Sequence, residues 1–160
     1  MKQETDDRLD AFTEAAEGFS KFVYKCPSGF DTIGFGYNLE ANPLRLSQEE
    51  LREFRHKGIT RKRAEELIDL EQARIIPLIT KNLPEFLSLP EDAQLVLVDM
   101  AYNLGVKGLF QFHNTISAIK RGLYDKAAAE MLNSKWARQV KTRAVKLAKI
   151  MAEIPDEDNA

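Results

Sequence analysis

An α+β fold is predicted by two features of this chain: one early stretch holds β-rich runs around a turn, and apolar residues elsewhere recur three or four positions apart. The early stretch is residues 17–37, EGFSKFVYKCPSGFDTIGFGY. With 160 residues, 44% of them hydrophobic, and a formal charge of -2, the chain can bury about two-thirds of its unfolded surface. A single domain over residues 1–160 is therefore expected.

Leu9, Phe12 and Ala16 share helical spacing over residues 7–16, with Thr5 a candidate N-cap and Gly18 the stop after Glu17. Residues 22–24 and 32–35 read as strands on either side of Pro27, Ser28 and Gly29, so a hairpin is expected. Residues 38–58 lack a sustained period. Within them, Ser47-Gln48-Glu49-Glu50 resembles a capping signature, which predicts a loop followed by one short helix.

Thr60 opens a long helical pattern through Ala64, Leu67, Ile68, Glu71, Ile75 and Leu78, and Pro77 is expected to kink or end its last turn. A helix over about residues 60–80 is long enough to join two lobes, a helix-and-hairpin lobe at about 10–58 and a helical lobe at about 84–153. Pro90 can start a helix that turns Ala93, Leu97, Met100, Ala101 and Leu104 inward, and Gly105 closes it. This should be the core helix. Further helices fit residues 114–120, 125–133 and 142–152, and residues 154–160 read as a frayed tail.

The opening MKQETDDRLD has no basic segment followed by an apolar core, and no run approaches the roughly 18 apolar residues of a membrane span. Synthesis in the cytoplasm without a signal peptide is the expectation. One cysteine excludes an internal disulfide and supplies too little sulfur for a thiolate metal site, while His56 and His113 stand isolated, so no metal or cofactor is expected. Gly34-Phe35-Gly36 is too short for a dinucleotide loop and suits hairpin packing. Lys135, Arg138, Lys141, Arg143, Lys146 and Lys149 crowd one segment, either as a solvated helix face or as a surface that steers polyanions.

Folding the hairpin brings Glu17, Cys26 and Thr32 towards one edge, which makes a candidate site. A carboxylate at a helix C-terminus is disfavoured by about 0.3 to 1 kcal/mol, so Glu17 is either a surface residue or one with a compensating partner or task. A protonated glutamate in an apolar setting can donate to a glycosidic leaving oxygen, an effect worth roughly 10²- to 10⁴-fold. Phe19, Phe22, Phe35 and Tyr102 are candidate walls for such a setting. The second carboxylate that glycosidases normally use is harder to find, because alternation puts Asp31 on the strand face opposite Thr32. Cys26 could serve as a thiolate base, or be an inert thiol. A cysteine-protease arrangement lacks a base in a diagnostic context. Trp136 reads as core or as a ligand platform.

Glu17, eight residues, Cys26, five residues, Thr32, then Ile33-Gly34-Phe35-Gly36 resembles the phage-type lysozymes, the muramidase endolysins of tailed bacteriophages. Ala101-Tyr102-Asn103-Leu104-Gly105 is similar to the end of that family's central helix. Gly108-Leu109-Phe110 and Phe112-His113-Asn114-Thr115 resemble its next turn, and Ser134-Lys135-Trp136-Ala137-Arg138-Gln139 with Arg143 its C-terminal segment. Together these cover most of residues 10–152.

The resemblance implies a two-lobed lysozyme-like fold with a cleft for peptidoglycan, and hydrolysis of the β-1,4 bond between N-acetylmuramic acid and N-acetylglucosamine. Under it Glu17 is the general acid, Cys26 orients or activates water, and Thr32 helps to hold that water. Arg143 pairs with Glu17, and Tyr102, Asn103 and Thr115 match sugar-contacting positions. It also implies a monomer that needs no nucleic acid and no cofactor, made in the host cytoplasm and acting on the periplasmic wall with help from a separate phage membrane-permeabilising protein. Two positions depart from the usual pattern: most familiar members have aspartate at Cys26 and histidine at Tyr37.

Overall fold

The computed structural model describes residues 3–157. The chain is mostly helical with one small antiparallel sheet, so the α+β class holds. It divides into two compact units, one of residues 7–74 and the other of residues 1–6 with 75–160.

In the first unit, α1 (Gln3–Glu17) leads into β1 (Ser20–Lys25), β2 (Asp31–Gly34) and β3 (Tyr37–Asn38), which pair antiparallel in the order β1-β2-β3. Gly18 ends α1 as expected: its φ is 71° and its N–H bonds the Glu14 carbonyl at 2.9 Å. Thr5, by contrast, is not the N-cap, because the helix already runs through it and it is buried. In the sheet, Tyr24 faces Thr32 and Lys25 faces Asp31. The pairing then slips, so that Ser20 faces Gly34 and three residues of β1, 21–23, run alongside Ile33 of β2. Such an irregularity bends a strand and re-aims its side chains, and hydrophobic alternation does not announce it.

Ser47 caps α2 (Gln48–Lys57) by accepting the Glu50 N–H at 3.1 Å, and Gly58 ends it with φ 85°. Tyr37 organises the loop before it. Its hydroxyl donates to Asn42 Oδ1 at 2.6 Å and accepts the Leu44 N–H at 3.2 Å, and Asn42 bonds both backbone groups of Leu46. Being only 3% exposed, Tyr37 fills this unit's core as well as tying its loop.

The long helix α3 (Arg61–Asn82) supplies residues to both units. Of the two outcomes expected at Pro77, a kink or an end, the end does not occur, since the helix continues to Asn82. Pro77 removes one backbone donor. Beyond it, the Thr80 hydroxyl donates to the Ile76 carbonyl at 2.9 Å and the Asn82 amide to the Leu78 carbonyl at 2.9 Å, which adds bonds to the last turns.

A 3₁₀ turn (Phe86–Ser88) precedes the helices of the second unit: α4 (Glu91–Leu104), α5 (Val106–Leu109), α6 (His113–Lys120), α7 (Tyr124–Leu132), α8 (Lys135–Val140) and α9 (Thr142–Ala152). α4 is buried continuously from Ala93 to Ala101, as a helix that is apolar nearly all round must be. α9 packs on both α7 and α4. The chain beyond it is not frayed as far as Glu157. Ile154 is buried, Asp156 Oδ1 accepts the Tyr124 N–H at 2.8 Å, and the Glu157 N–H donates to Gly122 at 3.0 Å. Residues 158–160 of the expected tail lie outside the described residues. Among the described residues no helix is long and apolar enough to cross a membrane, and no cluster of His, Cys, Asp or Glu could hold a metal ion.

Candidate active site

Glu17, Cys26 and Thr32 all belong to the first unit. Glu17 is the last residue of α1, half-buried, with its carboxyl lying across Gly36 in the turn between β2 and β3. A Cβ built on Gly36 would stand 2.6 Å from Glu17 Oε2, and the Gly36 φ of 80° independently favours glycine. The short GFG run thus gives the carboxyl room against bare backbone.

Cys26 sits where β1 enters the turn, and its backbone is fixed by Cys26 N–H to Phe30 O at 3.0 Å and Gly29 N–H to Cys26 O at 2.8 Å. Cys26 is half-buried, and its thiol is held below the ordinary range chiefly by the Phe30 N–H. Burial opposes this more strongly than any one of the remaining donors helps, and the Ser28 N–H, the Thr32 hydroxyl and the Gly29 N–H add to the lowering. Backbone donors converging on one atom favour its anionic form. Thr32 is 3% exposed, and its Oγ1 lies 2.8 Å from the Phe30 carbonyl. Its single proton can serve that carbonyl or the thiolate, but only one at a time.

Tyr24, opposite Thr32, joins this group. Burial raises its phenol above the usual range, and the neighbouring Glu17 and Cys26 raise it further, so it stays a neutral hydrogen-bond donor. Sequence reasoning missed it, because only the register of β1 against β2 brings Tyr24 opposite Thr32. Asp31, the other carboxylate weighed from the sequence, is engaged by two cations. It binds Lys25 at 2.6 Å and Arg55 at 2.7 Å, and these two cations, Lys25 first, hold it below the usual carboxylate range. Of the expected apolar walls, Phe19 and Phe35 pair with ring centroids 5.4 Å apart. Phe22 does not serve as one: it is 62% exposed and lies against the Gly58 position.

The second unit carries Tyr102, Asn103, Thr115 and Arg143. Trp136 donates its indole N–H to Asn103 Oδ1 at 2.8 Å and meets Phe112 edge-on at 5.8 Å. Phe112, Thr115, Trp136 and Gln139 line an open pocket of about 530 Å³. Trp136 is therefore both core and pocket wall. Half-buried Tyr102 sits beside Asn103 near the end of α4.

Arg143 is buried and grips Asp99 with two bonds of 2.9 Å. Asp99 was missed, although a lone acid inside LVLVDMA was a visible anomaly. The basic segment divides accordingly, with Arg143 turned inward while Lys135, Arg138, Lys141, Lys146 and Lys149 form an exposed face.

Residues 14–149 match the phage lysozyme family. The chain belongs to the phage lysozyme family. It is 29% identical over 148 residues to the pre-baseplate central spike protein Gp5 of Enterobacteria phage T4, a match covering 84% of this chain and 26% of that protein. It is 24% identical over 151 residues to a probable T4-type lysozyme 1 of Dictyostelium discoideum, covering 84% of this chain and 88% of that one. The chain thus spans about a quarter of the first relative's length and most of the second's. The architecture observed in this member of the family is mainly helical with a three-stranded sheet.

Proposed function

We propose that this phage lysozyme is an endolysin that hydrolyses the β-1,4 bond between N-acetylmuramic acid and N-acetylglucosamine and so lyses the bacterial wall. The observation that carries the reading is the grouping of Glu17, Cys26 and Thr32 in one unit, with the sulfur's anionic form favoured by converging donors. Glu17, protonated, gives its proton to the leaving glycosidic oxygen. A water attacks the anomeric carbon, and the Cys26 thiolate accepts that water's proton, with Thr32 helping to hold the water. Arg143, Tyr102, Asn103 and Thr115 contribute on the helical unit, where Asp99 locks Arg143 in one orientation. The protein works as a monomer without nucleic acid or cofactor, and reaches the wall from the host cytoplasm through a separate membrane-permeabilising phage protein.

Clearing of chloroform-treated Gram-negative cells tests this. Wild type clears the suspension and Glu17→Gln does not; a wild type that fails to clear, or a Glu17→Gln variant as fast as wild type, removes the reading. Similarity to a phage spike protein favours a second reading, a wall-binding phage structural module without turnover. That reading gains if the protein binds purified wall tightly and releases no reducing ends.

A further inference from the structure

The first turn of α3 carries Arg61, Lys62 and Arg63 and no acid, although cations are disfavoured at a helix N-terminus. Arg63 is accounted for by Glu50 and Glu66. Arg61 has looser ion pairs, 3.8 Å to Glu14 and 3.2 Å to Glu65, with its side chain 58% exposed. What distinguishes it is two rings: its guanidinium carbon lies 5.6 Å from the centroid of Phe19 and 5.2 Å from that of Phe35.

Those rings flank the general acid. Phe19 follows Glu17 by two residues, and Phe35 immediately precedes Gly36, the glycine against which the Glu17 carboxyl rests. The depth of the contact is set close by, because a Cβ on Gly34 would stand 3.1 Å from the Ala64 Cβ, one turn along α3 from Arg61. β2 thus lies hard on the start of α3, within reach of the guanidinium. A planar cation can lie over two aromatic faces at once, which an ammonium does poorly.

We propose that Arg61 is a positioning residue for Glu17: by stacking on Phe19 and Phe35 it joins the two backbone segments that fix the carboxyl. The proposal rests on the reading of Glu17 as general acid. The small displacements that follow loss of such support lower turnover by roughly tenfold to a hundredfold while leaving substrate binding largely intact.

The test uses Arg61→Gln and Arg61→Lys with wild type, each checked for an unchanged circular dichroism spectrum. kcat and KM are measured on soluble peptidoglycan, and the Glu17 side-chain ¹³C carboxyl resonance is recorded at one fixed pH. Arg61→Gln lowers kcat about tenfold with KM little changed, Arg61→Lys recovers only a minor part, and both move the Glu17 resonance. Full recovery by lysine makes charge rather than stacking responsible and overturns the proposal, as does an unchanged kcat or an unmoved resonance in the glutamine variant. The resonance is read without turnover, so a lytically inactive wild type ends the muramidase reading while the carbon signal still decides whether Arg61 positions Glu17.

Discussion

At Cys26 a thiol stands at the end of a strand with backbone N–H groups aimed at it, and the chemical consequence is directional. Because those donors lower its pKa, alkylation by iodoacetamide follows a titration whose midpoint lies below that of an ordinary thiol. Rates measured from acid to alkaline pH check this; a midpoint at or above the ordinary value contradicts it. If the thiolate handles water, Cys26→Asp keeps substantial lytic activity and Cys26→Ala loses most of it, as wall-clearing rates will show. Gly36 carries a companion prediction. Gly36→Ala displaces the Glu17 carboxyl and strains a positive φ, so kcat falls by roughly tenfold or more in a protein that still folds. Glu17, Cys26 and Thr32 were legible because their types and spacing are local in the chain. Tyr24 and Gly36 were not, because their roles arise from register and from close approach, which hydrophobic patterning does not encode.

At the scale of elements, α1 and α3 meet through carboxyl groups. Asp10 is raised from 3.8 to about 7, first by burial and then by a hydrogen bond and charge from Asp69, with Gln72 opposing and Glu14 adding. The folded state therefore holds a proton that the unfolded chain releases near pH 4. That contribution is complete at low pH, is lost as pH rises towards 7, and is flat above. Thermal melts across this range should show Asp10→Asn removing part of the decline; parallel curves for variant and wild type contradict the assignment. α7 shows a second device that sequence reading could not supply. Its start has no side-chain cap of its own, and Asp156, 31 residues beyond Asp125, accepts its first N–H groups instead. Asp156→Ala should cost about 1 kcal/mol by urea unfolding. Local capping signals found Ser47 and Gly18 because those act on their own helices. They missed Asp156 because only tertiary structure brings it to α7.

Across the whole molecule, each unit keeps a distinct kind of order. The first is built on close backbone approaches at Gly34, Gly36 and Gly58, and the second on an apolar helix, α4, that carries the buried Asp99–Arg143 ion pair. Removing Asp99 alone takes two 2.9 Å bonds from the buried Arg143 charge, so Asp99→Ala should destabilise by about 3 kcal/mol in denaturant unfolding. A double replacement by apolar residues should be far milder, whereas a single variant as stable as wild type would contradict the account. The α+β class was readable from the β-rich runs around Pro27-Ser28-Gly29 together with helical periodicity elsewhere, and the order of the main helices from that periodicity. The path of α3 through Pro77 was not, because a helix embedded in tertiary packing can absorb a lost donor that a propensity argument counts as a stop.

The claim that joins these scales is that a protonated Glu17 cleaves the glycan while the Cys26 position handles the water. Its most direct test is the release of reducing N-acetylmuramic acid ends from purified peptidoglycan by wild type, Glu17→Gln, Cys26→Asp and Cys26→Ala. The account predicts release by wild type and Cys26→Asp, and little or none by the other two. Release by Glu17→Gln at the wild-type rate would contradict it.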